Sequence, residues 1–338
     1  MFESIKRLSF KHKNNKFHYY LISYLRMLTP GWFYQRRLKA WMASLAAFDE
    51  KYVRQRVDYY NKLSGAPVTL SDAKPLRALC WPKRQKAYYF DTLEIARYFK
   101  LQANASWCFG DVTHVPEQPS LVKSRPIKGD NTRSVLLKIN KSRHFYFVND
   151  PRQFRDKEPL MIGRFNINQA HRADFMAIYF DHPLCDIGDV STRKLYPQWQ
   201  KPRLTIDEHL KYQFILCLEG NDVASNLKWV MSSNSLAVMP APTYETWFME
   251  GTLIPNYHYV AIKADYSDLE ERLTYYMTHT EEAEAILAHA HDYVKPFMNT
   301  RQEHLISLLV LKKYFVQTGQ QAILGDEAGT DSVFQSEG

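Results

Sequence analysis

The residues from Tyr212 to Lys228 are placed for anion chemistry. Tyr212 to Leu218 reads as an apolar strand that stops at the polar turn Glu219-Gly220-Asn221-Asp222. A helix is predicted from near Val223, through Ala224, Ser225, Asn226 and Lys228, and a second apolar strand from Ser235 to Met239. A turn that enters a helix offers backbone amides with no intrahelical partner and the positive end of the helix dipole. Gly220, Asp222, Val223, Ala224, Ser225 and Asn226 are therefore a candidate cradle for a diphosphate. Arg164, Arg172 and Lys228 are the candidate cations beside it. Glu245 and Glu250 flank Trp247 and Phe248, and Tyr244 or Trp247 could stack on a nucleobase.

Other chemistries lack a signature. There is no D-x-D, G-x-x-x-x-G-K-[ST], G-x-G-x-x-G or G-x-S-x-G. His289 and His291 stand two apart on a predicted helix, a spacing that turns the rings away from each other, so both are read as surface histidines rather than metal ligands. Cys80, Cys108, Cys185 and Cys217 are scattered without C-x-x-C spacing and read as buried free thiols.

The motifs K-Y-Q-F-I-L-C-L-E-G-x-D-V-A-S-N-L-K-W, Y-E-T-W-F-M-E-G and H-Y-V-A-I-K-x-D-x-S-D-L occur in that order from Lys211 to Leu269. Upstream stand F-G-D-V-T-H-V-P, V-K-S-R-P-I and K-S-R-H-F. Together they resemble the family 90 glycosyltransferases, which include CAP10-type capsule proteins, bacterial lipopolysaccharide A proteins and eukaryotic protein O-glucosyltransferases. The resemblance runs from about residue 88 to 315.

That resemblance implies an inverting, metal-independent transfer of a hexose or pentose from a UDP-sugar to a hydroxyl of a lipopolysaccharide core or other cell-surface glycan, with no cofactor. The alternative is a membrane-associated glycan- or nucleotide-binding scaffold without catalysis. Sugar transfer needs a stabilised leaving diphosphate, a base for the acceptor hydroxyl and alignment of the two substrates. Asp111 in F-G-D-V-T-H-V-P is the candidate base, with a turn-capping aspartate as the other reading; His114 is the backup. Lys123, Arg125, Arg143 and His144 are candidates on the acceptor side. Glu250 fits the glutamate that binds ribose hydroxyls in enzymes of this architecture, with Glu245 beside it. Asn226 stands where eukaryotic members carry an arginine, and Ile162 where many members carry another.

The elements that must hold these residues alternate. Residues 1–62 read as helical, broken at Thr29-Pro30-Gly31, with Leu38 to Tyr60 a second helical stretch. Asp91 to Phe99 reads as a helix capped by Asp91, and Ser134 to Ile139 and His144 to Val148 read as strands. Beyond Pro159, strands alternate with helices, which implies a parallel sheet. The expected architecture is α/β and GT-B-like: two Rossmann-like domains facing a central cleft, with a helical N-terminal extension. The expected divisions are an extension at 1–62, an acceptor-side domain at 63–156 and a nucleotide-sugar domain at 157–300. A helix at 301–317 returns to the first domain, and 318–338 is a disordered tail.

The net charge is +8, and residues 1–45 hold nine Lys or Arg against one acid, Glu3, interleaved with ten aromatic side chains. This pattern predicts contact with an anionic membrane surface; a solvated basic face and nucleic acid are the competing readings. No run of apolar residues is long enough to span a bilayer, and no signal-peptide core follows the basic N-terminus. The expected location is the cytoplasm, peripheral at the inner face of a bacterial inner membrane, with UDP-sugar and a lipid-linked glycan as partners and no nucleic acid.

Overall fold

The computed structural model describes residues 16–82 and 86–324. Lys6, Arg7, Lys11 and Lys13 of the basic extension, and residues 325–338 of the tail, lie outside the described residues. In chain order the principal helices are α1 (Lys16–Leu28), α2 (Gly31–Ala43), α3 (Glu50–Tyr60), α4 (Lys86–Ala96), α5 (Ala170–Tyr179), α6 (Leu227–Met231), α7 (Leu269–Thr278), α8 (Thr280–Met298) and α9 (Thr300–Gln317). The strands are β1 (Lys74–Pro75), β2 (Asn104–Ala105), β3 (Trp107–Cys108), β4 (Ser120–Val122), β5 (Ser124–Pro126), β6 (Ser134–Leu136), β7 (Glu158–Phe165), β8 (Cys185–Asp189), β9 (Tyr212–Leu216), β10 (Leu236–Met239), β11 (Tyr244–Thr246) and β12 (Val260–Ala261).

The chain divides into two compact units. The sheet unit comprises residues 143–243 and 249–298, and the helical unit residues 15–142, 244–248 and 299 onward. In the sheet unit five strands pair in the order β12-β10-β9-β7-β8, all parallel. Read from β8, this is the 2-1-3-4-5 order of a doubly wound fold, whose switch point lies between its first and third strands, here β7 and β9. The strands read as near-continuous apolar runs because a parallel sheet has little face open to water. Met161, Ile187, Phe214, Leu216, Leu236, Val238 and Val260 pack with Phe175, Met176 and Tyr179 of α5, Leu269 and Leu273 of α7, and Ile286 and Leu287 of α8. At Gly163 a Cβ would come within 3.1 Å of the Phe165 ring and 3.3 Å of Ile187 and Leu216, so any larger residue there would have to displace these side chains by a few tenths of an ångström.

The helical unit contains a smaller parallel sheet, β3-β4-β6, and the antiparallel pairs β1-β2 and β5-β11. Its centre is α9, buried on nearly all sides from Leu305 to Phe315 and packed on α2, α3 and α4. The mixed α/β class with parallel sheets thus holds, but the helical unit's parallel strands are only two or three residues long.

Four local expectations change. The helix after the Glu219 turn begins at Leu227, not Val223, because residues 219–226 remain an irregular loop. Asp91 does not cap α4; it lies in its middle, buried, accepting from Tyr19 Oη at 2.8 Å and the Lys141 amide at 2.8 Å. The stretch Leu38 to Tyr60 is broken, since α2 ends at Ala43 and Asp49 caps α3 by accepting the Tyr52 amide at 3.0 Å. His144 to Val148 forms no strand; Lys141–His144 is a helical turn and irregular chain follows. Gln320 ties the start of the tail to Asn104 through two hydrogen bonds, at 2.7 and 2.8 Å.

Candidate functional site

Arg172, in the first turn of α5, sits at the switch point of the parallel sheet. Its guanidinium donates to the Asn166 carbonyl just after β7 (2.8 Å) and to the Leu218 and Glu219 carbonyls after β9 (2.9 and 2.8 Å). Its hydrogen bonds therefore run to backbone carbonyls. Burial, and then the charge of Arg143, lower its pKa to about 10. Arg143, predicted on the acceptor side, is exposed and acts electrostatically on Arg172 in the same unit. A buried cation at a switch point, in the field of a second arginine, suits an anionic ligand.

The loop Cys217–Asn226 is pinned on several sides. His171 Nε2 donates to the Glu219 carbonyl at 2.9 Å, Thr243 N–H to Glu219 Oε1 at 2.9 Å, and Asn226 Nδ2 to the Leu216 carbonyl at 2.9 Å. Gly220 lies so near Arg172 that a Cβ there would be 3.5 Å from Nη2. Asp222, Val223 and Ala224 are buried, while Gly220, Ser225 and Asn226 are half-buried. The amides of Val223 to Asn226 donate to no acceptor among the described residues. The expected cradle residues form an irregular loop beside Arg172, in which the Gly220 amide donates to the Asp222 carbonyl at 3.0 Å, and α6 is only five residues long, so its dipole is small.

The other predicted donor residues are engaged elsewhere. Arg164 pairs with Asp186 through Nη2 at 2.8 Å and donates to the Asp186 carbonyl, tying β7 to β8. Lys228 is buried and its ammonium lies 2.5 Å from Glu250 Oε1. Glu245 belongs to the helical unit, where it accepts from Arg125 Nε at 2.7 Å and from Tyr59 Oη. Trp247 is fully buried, stacked on Tyr60 at 3.8 Å with its indole N–H donated to Glu303 at 2.6 Å, so its face is closed to a nucleobase.

In the helical unit, the irregular chain between β3 and β4 carries Asp111. Lys123, between β4 and β5, is 2% exposed in its side chain and reaches Asp111 Oδ1 at 2.6 Å. The pair fixes the carboxylate at the surface, where Asp111 keeps 25% exposure. His114 is exposed, whereas Lys123 and Arg125 are buried supports of Asp111 and Glu245. Sequence reasoning passed over the rings beside Asp111: half-buried Trp107 and Phe109 stack at 6.0 Å, and Tyr89 meets Phe109 edge-on at 5.1 Å. It also missed Glu303, which binds Arg56 at 2.5 Å and Lys138 at 3.1 Å as well as Trp247. A lone acid in the apolar pattern of α9 was the available signal. His289 stacks on Tyr257 at 3.6 Å and His291 bonds to the Ser233 carbonyl at 2.8 Å, so the two rings diverge, each half-buried rather than on the surface. All four cysteines are free, Cys185 and Cys217 buried and Cys80 and Cys108 half-buried.

Comparison with known proteins adds to this geometry. Residues 138–315 match the sequence model of Glycosyl transferase family 90. Over 301 residues, 87% of this chain and 92% of the other, the chain is 41% identical to the O-glucosyltransferase LpsA of Dichelobacter nodosus. Over 97 residues, 28% of this chain and 10% of the other, it is 33% identical to uncharacterized protein 027R of Frog virus 3 (isolate Goorha).

Proposed function

The chain belongs to Glycosyl transferase family 90 and is a glycosyltransferase, and from that premise we propose that it transfers glucose from UDP-glucose to a hydroxyl of a lipopolysaccharide core. The similarity to an O-glucosyltransferase supports the sugar and the acceptor atom. The reading assigns the donor to the sheet unit and the acceptor to the helical unit, the division of labour of a GT-B-like enzyme. The transfer inverts the anomeric carbon and needs no metal: cations and amides, not an ion, receive the charge of the departing diphosphate. The acceptor glycan is lipid-linked, and the enzyme works peripherally at the inner face of the inner membrane.

One observation carries this reading. The single guanidinium of Arg172 braces the loops after β7 and β9, where a doubly wound sheet binds its ligand, beside amides that donate to no acceptor among the described residues. As the anomeric C–O bond breaks, charge grows on the diphosphate oxygens. Preorganised donors stabilise that charge without reorganising. Asp111 takes the proton of the attacking hydroxyl, held by Lys123 in a fixed orientation. Trp107 and Phe109 offer apolar ring surface to the acceptor sugar. Lys228, two residues beyond the loop, and Glu250 form a buried pair.

A thermal-shift screen of nucleotides in the presence of a chelator tests the proposal. UDP and UDP-glucose raise the melting temperature, and Asp111→Asn retains the shift. Stabilisation by a purine nucleotide but not by UDP, or dependence on added divalent metal, overturns the donor assignment.

A further inference from the structure

Helix α1 packs on α4 through polar groups and through the Tyr20 and Tyr24 rings, which meet buried Phe90 edge-on at 6.1 and 5.0 Å. Tyr19 Oη donates to Asp91 at 2.8 Å, Ser23 is buried, and Arg26 pairs with Glu94 at 2.6 Å. Its outward side is apolar: Phe17, Leu21, Leu25 and Leu28 are 76, 45, 54 and 80% exposed. Their spacing of i, i+4, i+8 and i+11 places them on one helical stripe. At the start of α2, Trp32 and Phe33 are 56 and 41% exposed. The guanidiniums of Arg36 and Arg37 lie 4.8 and 5.0 Å over those two rings, and Arg36, Arg37 and Lys39 are all exposed. No Asp or Glu occurs between Glu3 and Asp49.

We propose that this stripe, with Trp32 and Phe33, docks the protein on an anionic bilayer surface, α1 and α2 lying along it. The inference rests on the proposed lipid-linked acceptor and names the face that meets the lipid. Leucine and aromatic side chains enter the boundary between headgroups and acyl chains, and the flanking guanidiniums and ammonium meet lipid phosphates. The same features disfavour the other occupants. A second copy of the face would set one acid-free cationic surface against another. Nucleic-acid interfaces are polar and strongly positive, whereas here six large apolar side chains stand beside three exposed cations.

The test is co-sedimentation of the full chain with vesicles of phosphatidylethanolamine and phosphatidylglycerol, against phosphatidylcholine alone. The wild type binds the anionic vesicles. Leu21→Glu/Leu25→Glu weakens that binding by about a hundredfold, from the apolar burial of two leucines. Arg36→Gln/Arg37→Gln/Lys39→Gln weakens it by about fivefold per cation, on the anionic vesicles only. Circular dichroism and UDP titration show both variants folded with unchanged nucleotide affinity. Binding by Leu21→Glu/Leu25→Glu equal to that of wild type overturns the proposal, as does failure of the wild type to bind anionic vesicles. A wild-type dimer that becomes monomeric in Leu21→Glu/Leu25→Glu, without vesicle binding, overturns it in favour of an interface between copies. Vesicle binding with no UDP binding would count against the donor site and leave the docking face standing.

Discussion

Replacing Arg172 by methionine separates a structural brace from a ligand-binding cation. Methionine keeps most of the apolar stem and removes the guanidinium. Two terms then oppose each other in the ligand-free protein. Hydrogen bonds to the carbonyls of Asn166, Leu218 and Glu219, at 2.8, 2.9 and 2.8 Å, are lost. At about 1.5 kcal/mol each for a charged donor, they contribute about 4.5 kcal/mol. Against this, burial and Arg143 lower the pKa of Arg172 to about 10. At ~1.36 kcal/mol per tenfold change in proton affinity, the folded state gives up about 3 kcal/mol to keep the group charged. That cost is present at every pH below about 10 and is relieved as the side chain deprotonates above it. The difference predicts a loss of only about 1 kcal/mol near neutral pH, read by urea unfolding. UDP affinity should fall much further: a guanidinium bond to phosphate worth about 1.5–3 kcal/mol corresponds to about a 10- to 150-fold weaker complex by calorimetric titration. Arg172→Lys should recover part of the affinity as a point charge without the fork. A folded Arg172→Met that binds UDP as tightly as wild type refutes the cradle. So does a loss of stability near 4 kcal/mol with unchanged affinity, which would make Arg172 a brace alone.

Three further outcomes follow from the same structure. Asp111→Asn should lower the transfer rate about 10²- to 10⁴-fold and leave UDP binding intact in a single-turnover assay; an equal loss of both would make Asp111 structural. Lys228→Met should cost about 3–5 kcal/mol in urea unfolding by removing the cation that pairs with the buried Glu250 carboxylate, whereas Lys228→Met/Glu250→Leu should cost less; additive losses would contradict a buried pair. Asp91 and His304 should tilt stability in opposite directions between pH ~4 and ~6.5. Burial raises Asp91 to about 6, so the stability it contributes is present below its ordinary range and lost as pH rises through about 6. Burial lowers His304 to about 4, so its contribution is present above its ordinary range and lost as pH falls through about 4. Asp91→Asn should gain on wild type as pH rises through that window and His304→Gln as pH falls through it, in denaturant midpoints taken across the range; parallel curves for all three proteins would refute both assignments.

The sheet unit was largely legible because its signals are local. Apolar runs separated by polar turns, alternating with helical periodicity, specify β7, β9, β10 and β12 without reference to distant residues, whereas the short edge strand β8 was not read. The strand order was not legible: that β7 sits between β8 and β9 depends on long-range pairing, and with it the location of the switch point. The partners of charged side chains were hidden for the same reason. Asp91 looked like a cap because its hydrogen-bond partner Tyr19 lies 72 residues away, and Glu245 looked like a ligand residue because Arg125 lies 120 residues away. Glu245 and Glu250 both stand beside apolar aromatics, and that context announces a buried ion pair as readily as a ribose contact. Arg172 is the instructive contrast. Nothing in its neighbourhood of sequence marks it above Arg164, yet Arg164 is matched to Asp186 while Arg172 rests on carbonyls and faces the field of another arginine. A buried cation matched to a carboxylate needs no ligand to explain it. One held by carbonyl dipoles and a ring face, with no carboxylate partner among the described residues, at the carboxyl edge of a parallel sheet, keeps its charge available for an anion, and it is this difference, invisible in the sequence, that ranks the candidates.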